Sequence, residues 1–323
     1  MKLFFCSMFS VAVALFVLTI AEAQQIKRQV KPETAALVKD RKLVVFLKSE
    51  DESVMRKLTG AELKNYKQGI SQFNTNLQTV VKAFWTFNST VSYLTKDKIE
   101  SLKPANEYAI LAVDLINIRF SNQLTRRPAN QILRLHVCML EDYDPLKPVF
   151  YQDVVGFVSE QGVPAISKMD LVAAANMVQN HLQARLDGKR RANGLHYEEA
   201  LEYAGTLKNK TLLIDTTFMD KKLTAQEVKE AYTYPFAISN SAAIEKAQMS
   251  RDKKFAYVYV FPVGDASNTM YHCILDCETG KVISYSMNAG LHLNNFIDRR
   301  HLEEYVLYSD YYNNKKNKKG KGK

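Results

Sequence analysis

The chain has 323 residues, of which 46% are hydrophobic and 24% charged, and its formal net charge is +10. Those fractions exclude a largely disordered chain, and the length allows one large or two ordinary domains. Six of the positive charges sit in the last eleven residues, NNKKNKKGKGK, so the body is near +4 and the basicity is mostly that of a tail.

Met1 to Ala23 reads as a cleavable secretion signal. Lys2 supplies the positive start, Leu3 to Ile20 are almost wholly apolar, and Ala21-Glu22-Ala23 offers small residues on either side of Glu22 before the cut. The alternative is a membrane anchor, but the apolar stretch is barely long enough to span a bilayer, and no run of Lys or Arg follows at once. The expected mature chain starts at Gln24, is secreted or periplasmic, and has no transmembrane segment. Cys6 leaves with the signal, so Cys138, Cys273 and Cys277 remain. Three cysteines argue against a disulfide framework, and the fold must hold by packing.

A polar, basic arm ending in a short helix is expected over residues 24–40. Lys42 to Leu47 is the first clear strand, a continuous apolar run suited to burial on both faces. Leu63, Tyr66, Ile70, Phe73, Leu77, Val80 and Phe84 alternate steps of three and four, which puts them on one stripe of a long helix. The flanking charges lack an e/g pattern, so the stripe predicts core packing rather than a coiled-coil seam, with Gly69 inside it. A strand near Thr90–Leu94 and a helix opened by Thr95 come next. Glu107–Leu115, Ile132–Leu140 and Val149–Val158 read as three strands. Ser167, with Asp170 three residues on, starts a closing helix to about Leu186 that turns Leu171, Val178 and Leu182 to the core. A loop, Asp187 to Gly194, and a short helix near His196–Tyr203 lead on.

The order then repeats. Lys210–Asp215 is a strand, Thr224 opens a helix, Phe236–Ile238 is a brief strand, and Asn240–Met249 is a helix. Phe255–Phe261, Met270–Asp276 and Val282–Ser286 are strands, with Glu278-Thr-Gly280 as the hairpin turn, and Asp298 caps a last helix through Tyr308. Residues 108–113 match 255–260, and 136–141 match 271–276, which pairs Cys138 with Cys273. These matches predict an α/β (α+β) fold of two similar units, each a mixed β-sheet covered by helices, arising by internal duplication. The expected divisions are a signal peptide (1–23), a polar arm (24–40), a first unit with its closing helix (41–186), a linker with a short helix (187–208), a second unit (209–312) and a disordered lysine-rich tail (313–323).

Chemistry-bearing motifs are sparse. There is no G-x-S-x-G, H-E-x-x-H, Walker-type loop or C-x-x-C, so no cofactor-binding or metal-ligating residue is expected and no catalytic residue is assigned, although catalytic groups can converge from distant positions. His272, Cys273 and Cys277 come nearest to a metal cluster, but residues four apart on a strand are too distant to share one zinc. The spacing favours a buried cysteine beside an exposed histidine. Cys138 and Cys273 read as separate core thiols, with a disulfide between them as the alternative. Asp215 reads as a strand-end residue, His292 and His301 as surface histidines with nothing to orient them, and Trp85 as core. The sequons at Asn88 and Asn209 receive no functional role. Tyr305, Tyr308, Tyr311 and Tyr312 lead into Lys315, Lys316, Lys318, Lys319, Lys321 and Lys323, which are the candidate contacts for weak binding to anionic surfaces.

The expected function is that of an exported, non-catalytic binding or interaction module of the cell envelope or extracellular space, whose partner is another protein or an envelope component. The alternatives are an envelope hydrolase with its site between the units and a polyanion-binding protein acting through its tail.

Overall fold

The computed structural model describes residues 31–118, 130–189, 199–200, 202–262, 270–286 and 296–320. The expected signal segment, His292, Lys321, Lys323 and the start of the short helix at His196 lie outside them. Strands β1 (Lys42–Phe46), β2 (Val91–Leu94), β3 (Tyr108–Ile118), β4 (Asn130–Met139) and β5 (Phe150–Val154) form one sheet in the order β2-β1-β3-β4-β5. A small hairpin, β6 (Phe157–Val158) and β7 (Pro164–Ala165), follows. Strands β8 (Thr211–Asp215), β9 (Phe236–Ser239), β10 (Phe255–Pro262), β11 (Met270–Asp276) and β12 (Val282–Ser286) form the other sheet, in the order β9-β8-β10-β11-β12.

The two orders are the same. In each sheet the first strand runs parallel to both neighbours, and the third, fourth and fifth are antiparallel. The matched segments therefore lie in two similar mixed α/β units. The cysteine match is out of step, however. Lys42 pairs with Tyr108 and Thr211 with Phe255, which aligns Ile110 with Tyr257; yet Cys138 faces Ile110 while Cys273 faces Tyr259. A shift of two residues keeps a side chain on the same face, so the apolar pattern of a strand does not register it.

Helices α1 (Pro32–Asp40), α2 (Glu52–Met55), α3 (Gly60–Phe84), α4 (Lys96–Glu100) and α5 (Lys168–Leu186) belong to the first half, and α6 (Ala225–Ala231), α7 (Ser241–Met249) and α8 (Arg299–Gly320) to the second. The stripe on α3 buries Tyr66, Ile70, Phe73, Leu77, Val80 and Phe84, with Leu63 at its margin. Trp85 ends that stripe in the core and donates through Nε1 to Asn88, which is itself buried and donates to the carbonyl of Val38. The second sheet has two covered faces. Leu212, Ile214, Val258 and Ile274 meet α6 and α8, while Leu213, Tyr257, Tyr259 and Leu275 meet α7 and α5.

Helix α5 is the centre of the molecule. Ser167 caps it by accepting from the Asp170 amide (3.0 Å), as the sequence spacing indicated. Leu171, Val178 and Leu182 pack on the first sheet, while Met169, Ala173 and Met177 pack on the second. Being apolar on both sides, it is a buried helix rather than an amphipathic one. The β11–β12 turn docks on its polar margin, where Asn180 donates to the carbonyl of Gly280 at 3.3 Å.

One strand expectation is revised. The strand expected over Val149–Val158 breaks at Gly156, where a Cβ would sit 2.8 Å from the carbonyl of Ala165 and 2.9 Å from Leu133. The last helix extends to Gly320. Lysine is a good helix former, and its charge suits the C-terminal end of the helix dipole. Among the described residues, no helix is long and apolar enough to cross a membrane.

Candidate functional site

A groove opens between α3 and the β6–β7 hairpin. It forms because the hairpin must approach the helix closely at one point and overhang it elsewhere. Gly69 supplies the contact, since a Cβ there would lie 2.9 Å from Cγ1 of Val163. Gly162, with φ +77°, makes the turn, closed by hydrogen bonds from the Gly162 amide to the Ser159 carbonyl (2.8 Å) and from the Ser159 amide to the Val163 carbonyl (3.0 Å). The resulting cavity of about 610 Å³ is within the range of small-ligand sites.

Its lining is mixed. Tyr66 and Phe73 form part of the floor, and Phe157 on the hairpin is 68% exposed. Asn65, Gln72 and Asn76 present amides from α3, where Gln72 donates to Asn76 (2.8 Å), and Ser159, Gln161 and Ser167 add polar groups from the other wall. Among the described residues, Glu62 is the one carboxylic acid in the lining, and no Lys, Arg or His joins it.

A second polar cluster lies on the first sheet, on the face turned away from α3. His136 sits between two partners, with Nε2 2.7 Å from Asp114 Oδ2 and Nδ1 3.3 Å from Cys138 Sγ. The Tyr143 hydroxyl donates to the same Asp114 oxygen at 2.8 Å. Burial pushes Asp114 up, but the hydrogen bonds from His136 and Tyr143 outweigh it and hold the carboxyl below its usual range. Cys138 resembles the nucleophile of a Cys-His-Asp relay in position but not in state. Burial pushes its thiol up to about 12 and it is 1% exposed, so it serves as a neutral group in a closed network.

A third cluster lies at the boundary of the two units. Asp215 ends β8, and its carboxylate accepts from the Thr217 amide (2.8 Å) and from the Ser241 hydroxyl. This is the expected strand-end role. Asp170, at the start of α5, is buried with one carboxyl oxygen unpartnered among the described residues. Burial, with the charge of Asp215 added, pushes it up to about 7. An acid held neutral by the fold stabilises it least when ionised, so this contribution is lost as pH rises from about 4 through 7. Asp170→Asn is therefore expected to leave stability at pH 4 unchanged and to raise it at pH 8 by about 2–4 kcal/mol, measured by urea unfolding at the two pH values.

The histidines depart from expectation. His272 is fully buried rather than exposed beside Cys273, and His301 is 1% exposed. Asp298 orients His301, with Oδ1 2.7 Å from its Nδ1, and the same oxygen accepts from the His301 amide to cap α8. The sequence placed Asp298 as the cap but missed its second role, which the i, i+3 spacing to His301 could have indicated. Cys138, Cys273 and Cys277 are free and buried, and among the described residues no three His, Cys, Asp or Glu side chains converge to hold a metal. Tyr305 is buried, Tyr308 half-buried and Tyr311 exposed; Lys315, Lys316, Lys318 and Lys319 lie on the last helical turns, away from the groove lining.

No family model, curated protein or solved structure matches the chain.

Proposed function

We propose that the protein is a non-catalytic binding module, and that the groove between α3 and the β6–β7 hairpin is where it holds its ligand. One observation carries this reading: a cavity of about 610 Å³ that combines an exposed aromatic ring, Phe157, with a row of amide side chains and almost no charge. Amides both donate and accept, and an aromatic face covers apolar C–H surface, so the groove suits an uncharged polar ligand such as a neutral glycan or an extended uncharged peptide segment. Neutral N-acetylated oligosaccharides and uncharged peptides, screened by ligand-observed NMR, are expected to yield a binder. Phe157→Ala is expected to weaken that binder about tenfold or more without changing the far-UV spectrum. A binder unaffected by Phe157→Ala, or a panel with no binder, would remove the groove from the proposal.

The proposal includes export, for which the support is the apolar run Leu3 to Ile20 and the small residues before Gln24. Mass spectrometry of the mature protein is expected to find Gln24 at the amino terminus. An intact Met1 end would instead favour the anchor reading.

A further inference from the structure

The underside of α8 concentrates polar atoms that have no partner among the described residues: both ring nitrogens of His272, Nε2 of His301, the Ser284 hydroxyl and the Tyr305 hydroxyl. Buried polar groups are nearly always hydrogen-bonded, so such a concentration calls for a physical account. The two imidazoles stack with centroids 4.1 Å apart and planes 11° apart. Stacked rings keep their lone pairs in two separate, nearly parallel planes, so these two cannot converge on one metal ion. They stack instead as flat rings at the same helix–sheet boundary where Leu302, Tyr305 and Ile274 cluster.

That packing depends on charge. We propose that the stacked His272–His301 pair is an acid-sensitive latch that holds the first turns of α8 against the second sheet and releases them when His272 is protonated. The groups acting on His272 are His301 and Asp298, both from the start of α8. Across the sheet, the polar side chains that β12 presents among the described residues are the hydroxyls of Ser284 and Ser286, and Ser286 donates to Glu304, which also faces Arg300. Tyr232 and Tyr305 share the layer as neutral phenols. Among the described residues no carboxylate is hydrogen-bonded to His272, and that of Asp298 already contacts His301.

The direction of the pH dependence follows. Burial first, and His301 second, push His272 down to about 3, with Asp298 opposing. A histidine depressed in the closed state and ordinary in the open state stabilises closure above about pH 6.5, and this stabilisation fades as pH falls towards 3. Protonation of His272 is thus expected to loosen the first turns of α8 as the pH falls.

The test is hydrogen exchange of the full chain, with the amides of Leu302 to Ser309 followed at pH 7 and pH 5 and corrected for intrinsic rates. Their protection is expected to fall roughly 25-fold, while the amides of β3 and β4 change far less. In His272→Gln and His272→Phe the fall should disappear. Protection unchanged between the two pH values, a fall shared equally by β3 and β4, or a fall that survives in either variant would overturn the latch. Should neither variant fold, the wild-type Cε1–H titration decides: a His272 signal that titrates near pH 6.5 overturns the proposal, and one still neutral at pH 5 supports it.

Discussion

Asp153→Ala is expected to destabilise the protein by about 3–5 kcal/mol, among the largest effects available from one side chain outside the apolar core. Arg134 and Asp153 pair across β4 and β5, with Nε 2.6 Å from Oδ1, and their side chains are 8% and 4% exposed. The guanidinium also lies over the Tyr151 ring at 3.6 Å. Removing the carboxylate leaves a buried cation with an aromatic face and no anion within the pair. The contrast is Glu52→Ala, which breaks an exposed pair with Arg56 (79% and 80% exposed) and should change stability by about 0.5 kcal/mol or less. The double change Asp153→Leu with Arg134→Met should recover most of the loss, because it removes both charges. Urea unfolding of the three variants beside the wild type checks this, and an Asp153→Ala cost no larger than that of Glu52→Ala would show that the pair is effectively solvated.

Gly280→Ala is expected to cost about 2–4 kcal/mol, from two sources that can be separated. Gly280 has φ +64°, which an L side chain adopts reluctantly. Its missing Cβ also matters, since one built there would lie 2.3 Å from Nδ2 and 2.6 Å from Cβ of Asn176 on α5. Gly188, just past the end of α5, has φ +66° with nothing within 4 Å of such an atom. Gly188→Ala should therefore cost only the backbone part, about 1 kcal/mol. Asn176→Ala should return part of the Gly280→Ala loss, because it clears the amide but leaves the Cβ. Equal costs at Gly280 and Gly188, measured by thermal unfolding, would mean the turn does not press on the helix.

What the sequence made legible was local or periodic. The α3 stripe, most of the strand runs and the Ser167, Thr224 and Asp298 caps all follow from residues within a few positions of one another, and the structure has them. The duplicated order was legible because two weak patterns recurred in one sequence. What was not legible depends on pairing between distant strands. His136 meets Asp114 only because β3 and β4 run antiparallel, and the strand register that brings them together cannot be read from either segment alone. His272 and His301 looked like surface residues because one histidine in a strand or a helix start carries no periodic signal. The hairpin that walls the groove has two-residue strands, too short to alternate, and its close approach to Gly69 comes from packing.

The position of α5 has a consequence for the order in which the molecule can be assembled. The helix is complete at Leu186, but the sheet that covers Met169, Ala173 and Met177 is not complete until β12 ends at Ser286. A ribosome moving at about 5–20 residues per second needs on the order of 5–20 s for the intervening stretch of about 100 residues. For that interval the finished first half presents an apolar flank with nothing yet made to meet it. A nascent chain arrested in this stretch is therefore expected to be more aggregation-prone than the complete chain.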